Sequence, residues 1–499
     1  MPSPTRRHAF VSLATASLAF LVVVAGCQRA PEKTVEKQPP AQTTGYTFDQ
    51  NYPTPDAAQK ARDDADFQRA VTAYRFWYPA VSFQAVFEGQ AAAGAPNNSI
   101  MVVAGGPRHV MFTLNSDTPY GGAAFDLKDD PVVVDMPPGA FIGLADDRYQ
   151  NWIMDMGLPG PDAGKGGKHL VVGPGFKGKI PGNYFVGHAK SNLVMIAIRS
   201  IPTDGNVTAA AEALHKIKIY RLSTAAHPEP ASFIDLTDKP ISGASIMWED
   251  NIQYWQKLHD IIEQEPMVPE WATMYGLLAS LGIVSGQTFH PDTRMQDILA
   301  RAAQAGRDQM LVSAFASART DIKAWPDRRW EWAGLISDNA DFMTPTGLDT
   351  EARDRWFIQA IVASPAMFRR SANAGSLYWL GHRDAGGAYL DGGKTYKLTV
   401  PLPVPAKLFW SVTAYDAATR SEVVTQQDRA ALRSLFELKG LQGASVDLYF
   451  GPSAPTGQEA HWIQTVPGKG WFTYFRIYGP DTAAFDGSWK PGDFEEVTK

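Results

Sequence analysis

Asn115, Ser116, Asp117, Thr118, Pro119 and Tyr120 crowd amide, hydroxyl, carboxyl and phenol groups into one short stretch, and Gly121 and Gly122 follow at once. In that spacing the Asp117 carboxylate can serve as a base or hard-cation ligand beside the Tyr120 hydroxyl, while the glycines let a ligand approach the backbone. The same residue types also build turns, because Asn and Asp side chains hydrogen-bond their own backbone, and composition alone favours that structural use. A second group, Asp146, Asp147, Arg148 and Tyr149, precedes a run carrying Trp152 and Asp155. A carboxylate beside an arginine is more often an ion pair than an acid catalyst. Towards the C-terminus stand Tyr389, Asp391, Gly393, Trp410, Tyr415 and Asp416, then His461 and Trp462, then Arg476 and Tyr478. Aromatics on strands are mostly core, but His461 and Arg476 on half-buried strands need partners or a ligand. The candidate binding set is therefore Asn115, Asp117, Tyr120, Tyr149, Asp155, Trp410, Tyr415, Trp462, Arg476 and Tyr478. Asp117, Tyr120 and His461 are the candidate acids and bases.

Several other chemistries lack their signatures. Gly173, Gly175 and Gly178 spell a dinucleotide fingerprint, and Gly173 with Gly178 and Lys179 most of a P-loop. Both motifs need a helix beginning at the last glycine, and Pro181 and Gly182 follow instead, with Ile180 where a P-loop needs Ser or Thr. The ten histidines are scattered, with no pair spaced to present two ligands to one metal, and there is no Gly-x-Ser-x-Gly elbow. No cofactor and no metal are expected. A formal charge of -6 argues against a nucleic-acid partner.

These candidates need elements to position them. At 499 residues the chain exceeds a usual single core, so two domains are expected. Short apolar runs separated by Gly, Pro and Asp predict strands at Val110 to Leu114, Val132 to Met136, Tyr149 to Met156, Leu170 to Val172 and Leu193 to Arg199. Further strands are predicted at Lys394 to Val400, Phe409 to Tyr415, Ser445 to Phe450 and Trp471 to Tyr478. Helical spacing predicts helices from Thr54 to Pro79 and from Val207 to Tyr220. It also predicts a helical stretch from Ser245 to Ala324, broken at Pro266, Pro269 and after Gly282, and a helix through Ala352 to Phe368. The fold class expected is α+β, with two mainly antiparallel, sandwich- or barrel-like domains at 53–240 and 371–499 joined by a helical region at 241–370.

Cys27 is the lone cysteine. It closes a basic start at Arg6 and Arg7, an apolar run from Ala9 to Gly26, and the sequence Val24, Ala25, Gly26, Cys27. That order resembles a bacterial lipoprotein signal at 1–26, cut before Cys27 with lipid added to its sulfur and new amino group. Residues 27–52, rich in Pro, Lys, Glu and Gln, would form a disordered tether. Membrane attachment through Cys27 and an envelope location, with Gln28 leaning towards the outer membrane, are expected. A lipidated Cys27 leaves no thiol for redox or thiolate chemistry.

The order of the segments resembles a known pairing. Phe67 to Pro79 and the Asn-x-Asp-Thr-x-Tyr segment from Asn115 to Leu127 resemble a bacterial domain of unknown function numbered 1254. The tail resembles its usual partner, numbered 1214, through Tyr389, Asp391, Tyr396, Trp410, Tyr415, Asp416, Trp462, Arg476, Tyr478 and Trp489. One departure is that the family's Asn-Trp-Leu-Pro reads His461, Trp462, Ile463, Gln464 here. The resemblance implies two β-rich domains with a helical connection and supplies no reaction. Three functions follow as expectations. The first is binding of a small polar or carbohydrate-like ligand in a cleft shared by the polar turn and the aromatic tail strands. The second is a hydrolase or lyase using Asp117, Tyr120 or His461, with Arg476 holding an anionic group. The third is a structural envelope protein, and a homo-oligomer is left open.

Overall fold

Strands whose side chains alternate between two environments form the body of the protein. The computed structural model describes residues 45–335, 338–372 and 375–498. Cys27, the run before it and most of the proposed tether lie outside the described residues. Within 45–60, Phe48–Asp49 pairs antiparallel with Tyr52–Pro53, so the last positions assigned to a tether hold a small hairpin. Thr54 Oγ1 accepts from Ala57 N–H at 3.3 Å, capping the helix Pro55–Ala93 as Thr-Pro at its start predicts.

That helix does not stop at Pro79 as expected but runs through it. Proline cannot donate to the carbonyl four residues back. Arg353 Nη1 donates to that carbonyl, Arg75 O, at 3.3 Å. Pro79 O in turn accepts from Gln150 Nε2 at 2.7 Å and Ser82 Oγ at 3.1 Å. Arg353 thus replaces the hydrogen bond that proline removes.

The N-terminal β region has a six-stranded sheet in the spatial order Phe233–Asp235, Ile100–Ala104, Pro119–Asp126, Leu193–Ser200, Phe141–Asp147 and Trp152–Gly157. Its pairings are antiparallel except at the edge strand Phe233–Asp235. A four-stranded sheet, Phe185–His188, Gly167–Val172, Val132–Met136 and Lys218–Arg221, shares its core through Val132, Val134 and Ile219 packed with Val102, Phe125 and Ile196. The helix expected to reach Tyr220 ends at Leu214, and the chain enters Lys218–Arg221 as a strand. There Ile217 and Ile219 are buried while Lys216 and Lys218 are exposed, a period of two hidden behind a helical run. After Gly173 the chain forms a loop into Phe185–His188, with no helix.

Between the β regions, helices Gln253–Gln264, Ala272–Ser280 and Thr293–Phe315 break near the predicted prolines and Gly282. They share a core with the long helix through Tyr74, Trp77, Tyr254, Trp255 and Leu299. The helix expected at Ala352 to Phe368 is interrupted, as Thr350–Phe357 and a short turn at Pro365–Phe368.

The C-terminal region repeats the architecture. Its five-stranded sheet runs Glu331–Trp332, Ser376–Gly381, Trp471–Pro480, Ala406–Asp416 and Ala431–Arg433. Its four-stranded sheet runs Trp462–Gln464, Ser445–Gly451, Tyr396–Pro401 and Glu495–Glu496. Trp379, Val412 and Phe475 from one meet Leu398, Val446 and Leu448 from the other. The chain is therefore an α+β protein with two β-sandwiches, and the larger sheet of each keeps its second face for other partners.

Candidate functional site

Those two remaining faces look towards each other across a cavity of about 130 Å³. On the six-stranded sheet, Met101 and Val103, Tyr120 and Gly122, then Ala197 and Arg199 stand two apart and form its floor. The long helix adds Phe83, Val86 and Gln90, and the opposite wall comes from Trp356, Ile361 and Val362 with Tyr378, Tyr474 and Arg476 of the five-stranded sheet. The lining is mainly apolar.

One end is polar, and it is where the Asn115 to Tyr120 turn meets the C-terminal sheet. Three carbonyls, one in the turn and two just before it, are gripped from that sheet. Arg476 Nη2 donates to Thr113 O at 2.9 Å, Tyr415 OH to Leu114 O at 2.9 Å, and Arg433 Nη1 to Ser116 O at 2.6 Å. Asn115 performs the turn role, its Oδ1 accepting from Asp117 N–H at 3.1 Å, while its Nδ2 donates to Tyr478 OH at 3.2 Å. Asp117 does something else: Oδ2 accepts from Ser411 Oγ at 2.8 Å and Oδ1 has no hydrogen-bond partner. Arg199 Nη1 donates to Tyr478 OH at 2.8 Å, and its guanidinium lies 5.8 Å from the Tyr120 ring and 5.1 Å from that of Tyr478.

Backbone strain collects at the same walls. Thr113 at φ 44° and Val362 at φ 59° are β-branched residues in the left-handed region. Such positions cost about 1–3 kcal/mol each and cluster at functional sites. Both are pinned: Thr113 N–H donates to Arg420 O at 2.8 Å, and Val362 N–H to Gln150 Oε1 at 2.6 Å.

Burial shapes the titratable groups. Asp155, on the cavity wall, is pushed up to about 6 by burial, although Ser364 Oγ donates to it at 2.5 Å. Burial pushes Asp117 up against the pull of Arg476, and burial together with the charge of Asp117 pushes Glu422 up to about 7. Burial likewise raises the Tyr120 phenol, opposed by Arg199.

Of the residues singled out from sequence, Asn115, Tyr120, Asp155 and Arg476 line the cavity. Asp117, Tyr415 and Tyr478 stand in the polar layer beside it. The others do not join them. Tyr149 packs between Trp77 and Trp271, at 5.9 and 5.0 Å. Trp410 points to the opposite face of its sheet and stacks on Phe475 at 5.5 Å inside the C-terminal sandwich. His461 and Trp462 lie at the edge of the outer sheet, where Trp462 Nε1 donates to Gly451 O, so the departure from the family's Asn falls away from the cavity. Arg148 pairs with Glu265 at 3.2 Å, the ion-pair role expected of it, although its partner lies far along the chain. Sequence reasoning missed Arg199, Tyr378, Tyr474 and Glu422. Arg199 was detectable in principle, as a charge two residues after Ala197 on an otherwise apolar strand.

Residues 98–221 match a family model described as a protein of unknown function (DUF1254), and residues 375–482 one described as a protein of unknown function (DUF1214). The two occur in tandem, and the polar end of the cavity draws on both: Tyr120 and Arg199 from the first, Tyr378, Arg476 and Tyr478 from the second. The crystal structure of the VPA0106 protein from Vibrio parahaemolyticus is similar, with a TM-score of 0.54 and 17% identity over 87% of this chain and 100% of that one. That likeness shows the fold. An uncharacterised protein from Burkholderia cenocepacia aligns at a TM-score of 0.39 and 11% identity over 89% of this chain and 97% of that one. No curated protein matches the chain.

Proposed function

We propose that the protein binds a small ligand in the cavity between its two β-sandwiches, with the ligand's apolar body among Val86, Met101 and Ile361 and its polar head at Arg199 and Asn115. The observation that carries this is the cavity itself, held between two sheet faces by a polar turn and by two strained residues that the surrounding hydrogen bonds maintain. At about 130 Å³ it suits a body of one ring, since an apolar cavity of about 150 Å³ accommodates benzene. An apolar body with one polar head is favoured over a carbohydrate, whose hydroxyls would lose water against this lining without recovering hydrogen bonds. The test is thermal unfolding of the full chain with a panel of ring-sized compounds. A binder should raise Tm by mass action, and Ala197→Phe, which fills the floor, should abolish that shift. Undiminished binding by a folded Ala197→Phe variant would move the site elsewhere.

A hydrolase or lyase is the second reading, favoured by Asp155, whose carboxyl at about 6 lies in the range for proton transfer near neutral pH. Under it, Asp155→Asn keeps ligand binding but stops any change in the bound compound followed by NMR. We further propose that lipid at Cys27 anchors the chain in a bacterial envelope. With lipid as the anchor, Cys27→Ser should move the protein to the soluble fraction, whereas continued membrane retention would point to an uncleaved N-terminal helix; among the described residues no helix is long and apolar enough to cross a membrane.

A further inference from the structure

Two arginines meet at one end of an apolar cavity, and neither has a carboxylate partner there. Arg199 enters from the six-stranded sheet and Arg476 from the five-stranded sheet facing it. Both are buried, at 9% and 2% exposure. Arg199 donates to the Tyr478 hydroxyl and Arg476 to the Thr113 carbonyl, and among the described residues neither forms an ion pair. The other deeply buried guanidiniums are treated differently: Arg148, Arg355 and Arg420 each pair with a glutamate, at 3.2, 2.8 and 2.5 Å. Burying a charge without a counter-charge is costly, and a fold that pairs three such arginines does so for that reason. The tyrosine rings around Arg199 and Arg476 lie 5.0–5.8 Å from the guanidinium carbons and compensate only in part.

From this we infer that Arg199 and Arg476 hold the carboxylate of a compact, apolar monocarboxylic acid, whose ring or branched chain fills the remainder of the cavity. The inference rests on the cavity being the binding site and names the class of its ligand. A guanidinium offers planar, paired donors that match a carboxylate. The Asp117 charge is felt by Arg476, but its Oδ2 accepts from Ser411 and among the described residues it forms no ion pair with either arginine, so direct contact with both guanidiniums is left to the ligand. One bound monoanion supplies the missing counter-charge. A carboxylate on a ring-sized body also respects the volume, whereas a polyanion would set further charge against Val86, Met101 and Ile361.

The test uses the full chain and three probes sharing one ring: benzoate, benzamide and toluene. A branched pair, 4-methylpentanoate and its amide, runs in parallel. Dissociation constants are measured by calorimetry at pH 7. In at least one pair the acid is expected to bind tenfold or more tightly than its amide, the size of a charge-assisted hydrogen bond. Arg199→Met should remove that preference, and far-UV circular dichroism with a cooperative thermal transition reports that the variant is folded. Arg199→Lys, which keeps the charge but not the fork, should retain part of it. Equal binding of acid and amide in both pairs, with toluene bound, overturns the carboxylate assignment and leaves the cavity as the site. Failure of every probe, toluene included, removes the cavity reading and this one with it. An acid preference unaltered in both Arg199 variants also overturns the assignment.

Discussion

Glu422 shows how a residue's surroundings become a property of the whole chain. It is buried beside Asp117 in the layer between the sandwiches, and burial first, then the Asp117 charge, lifts its carboxyl to about 7. An unfolded glutamate titrates near 4.3. Since the folded value is the higher one, Glu422 favours the native state fully below the unfolded value, and that contribution is lost as pH rises through about 7. Asp155 and Asp354, each pushed up to about 6 by burial, act in the same direction over a slightly lower window. Tm is therefore expected to fall between pH 5 and pH 8. Glu422→Gln should flatten that dependence and stabilise the protein at pH 8 by roughly 1–3 kcal/mol. Thermal unfolding of both proteins across that range checks it, and parallel curves would mean that Glu422 does not titrate there.

At the scale of an element, the helix Pro55–Ala93 depends on a residue nearly three hundred positions away. Arg353 supplies the donor that Pro79 lacks, while its guanidinium rests near the Phe76 and Phe357 rings at 5.1 and 5.6 Å. Arg353→Met should destabilise by roughly 1–3 kcal/mol, since it strands a carbonyl. Pro79→Ala restores a backbone N–H to that carbonyl, so in the Arg353→Met background it should recover more stability than in the wild type. A double-mutant cycle from chemical denaturation measures the difference; additive effects would show that Arg353 does not compensate for Pro79. The strands teach a related lesson. Trp410 and Ser411 are neighbours, yet Ser411 meets Asp117 while Trp410 faces the sandwich core, because consecutive side chains of a strand take opposite faces.

For the whole molecule, a buried ionic network joins three distant parts of the chain. Glu249, in the helical connection, accepts from Arg420 of the C-terminal region at 2.5 Å, from Tyr78 of the long helix at 2.7 Å, and from Arg307 of the same connection at 3.0 Å. Burial alone would raise the Glu249 carboxyl, but Arg420 and the other donors hold it below the usual range. Arg420 also accepts, through its carbonyl, from the strained Thr113 that forms the cavity wall. Arg420→Met leaves Glu249 buried with part of its counter-charge removed, and is expected to cost about 3–5 kcal/mol. The change keeps the carbonyl that holds Thr113 but loses the side-chain bonds to Ile358, Ala418 and Glu249 that fix its position, so it should also weaken any ligand bound in the cavity. Chemical denaturation and ligand titration test the two effects separately. Lost stability with intact binding would show that the network is uncoupled from the site.

Period and punctuation made much of the fold legible from sequence. Val132–Met136, Leu193–Ser200, Ala406–Asp416 and Trp471–Pro480 stand where apolar runs between turn residues placed them, and the α+β class follows the same signals, whereas the tandem of 98–221 with 375–482 was legible only through resemblance to known domains. Local chemistry also marked the polar turn at Asn115. Other features depend on partners far along the chain, which no local pattern encodes. Pro79 stays inside a helix because Arg353 reaches the carbonyl it leaves open, the Asp117 side chain points out of the turn because Ser411 donates to it, and Arg199 becomes a site residue because Arg476 arrives opposite. Local sequence sets which dihedrals and faces a segment can adopt, while the identity of what each face meets is decided by packing between segments hundreds of residues apart.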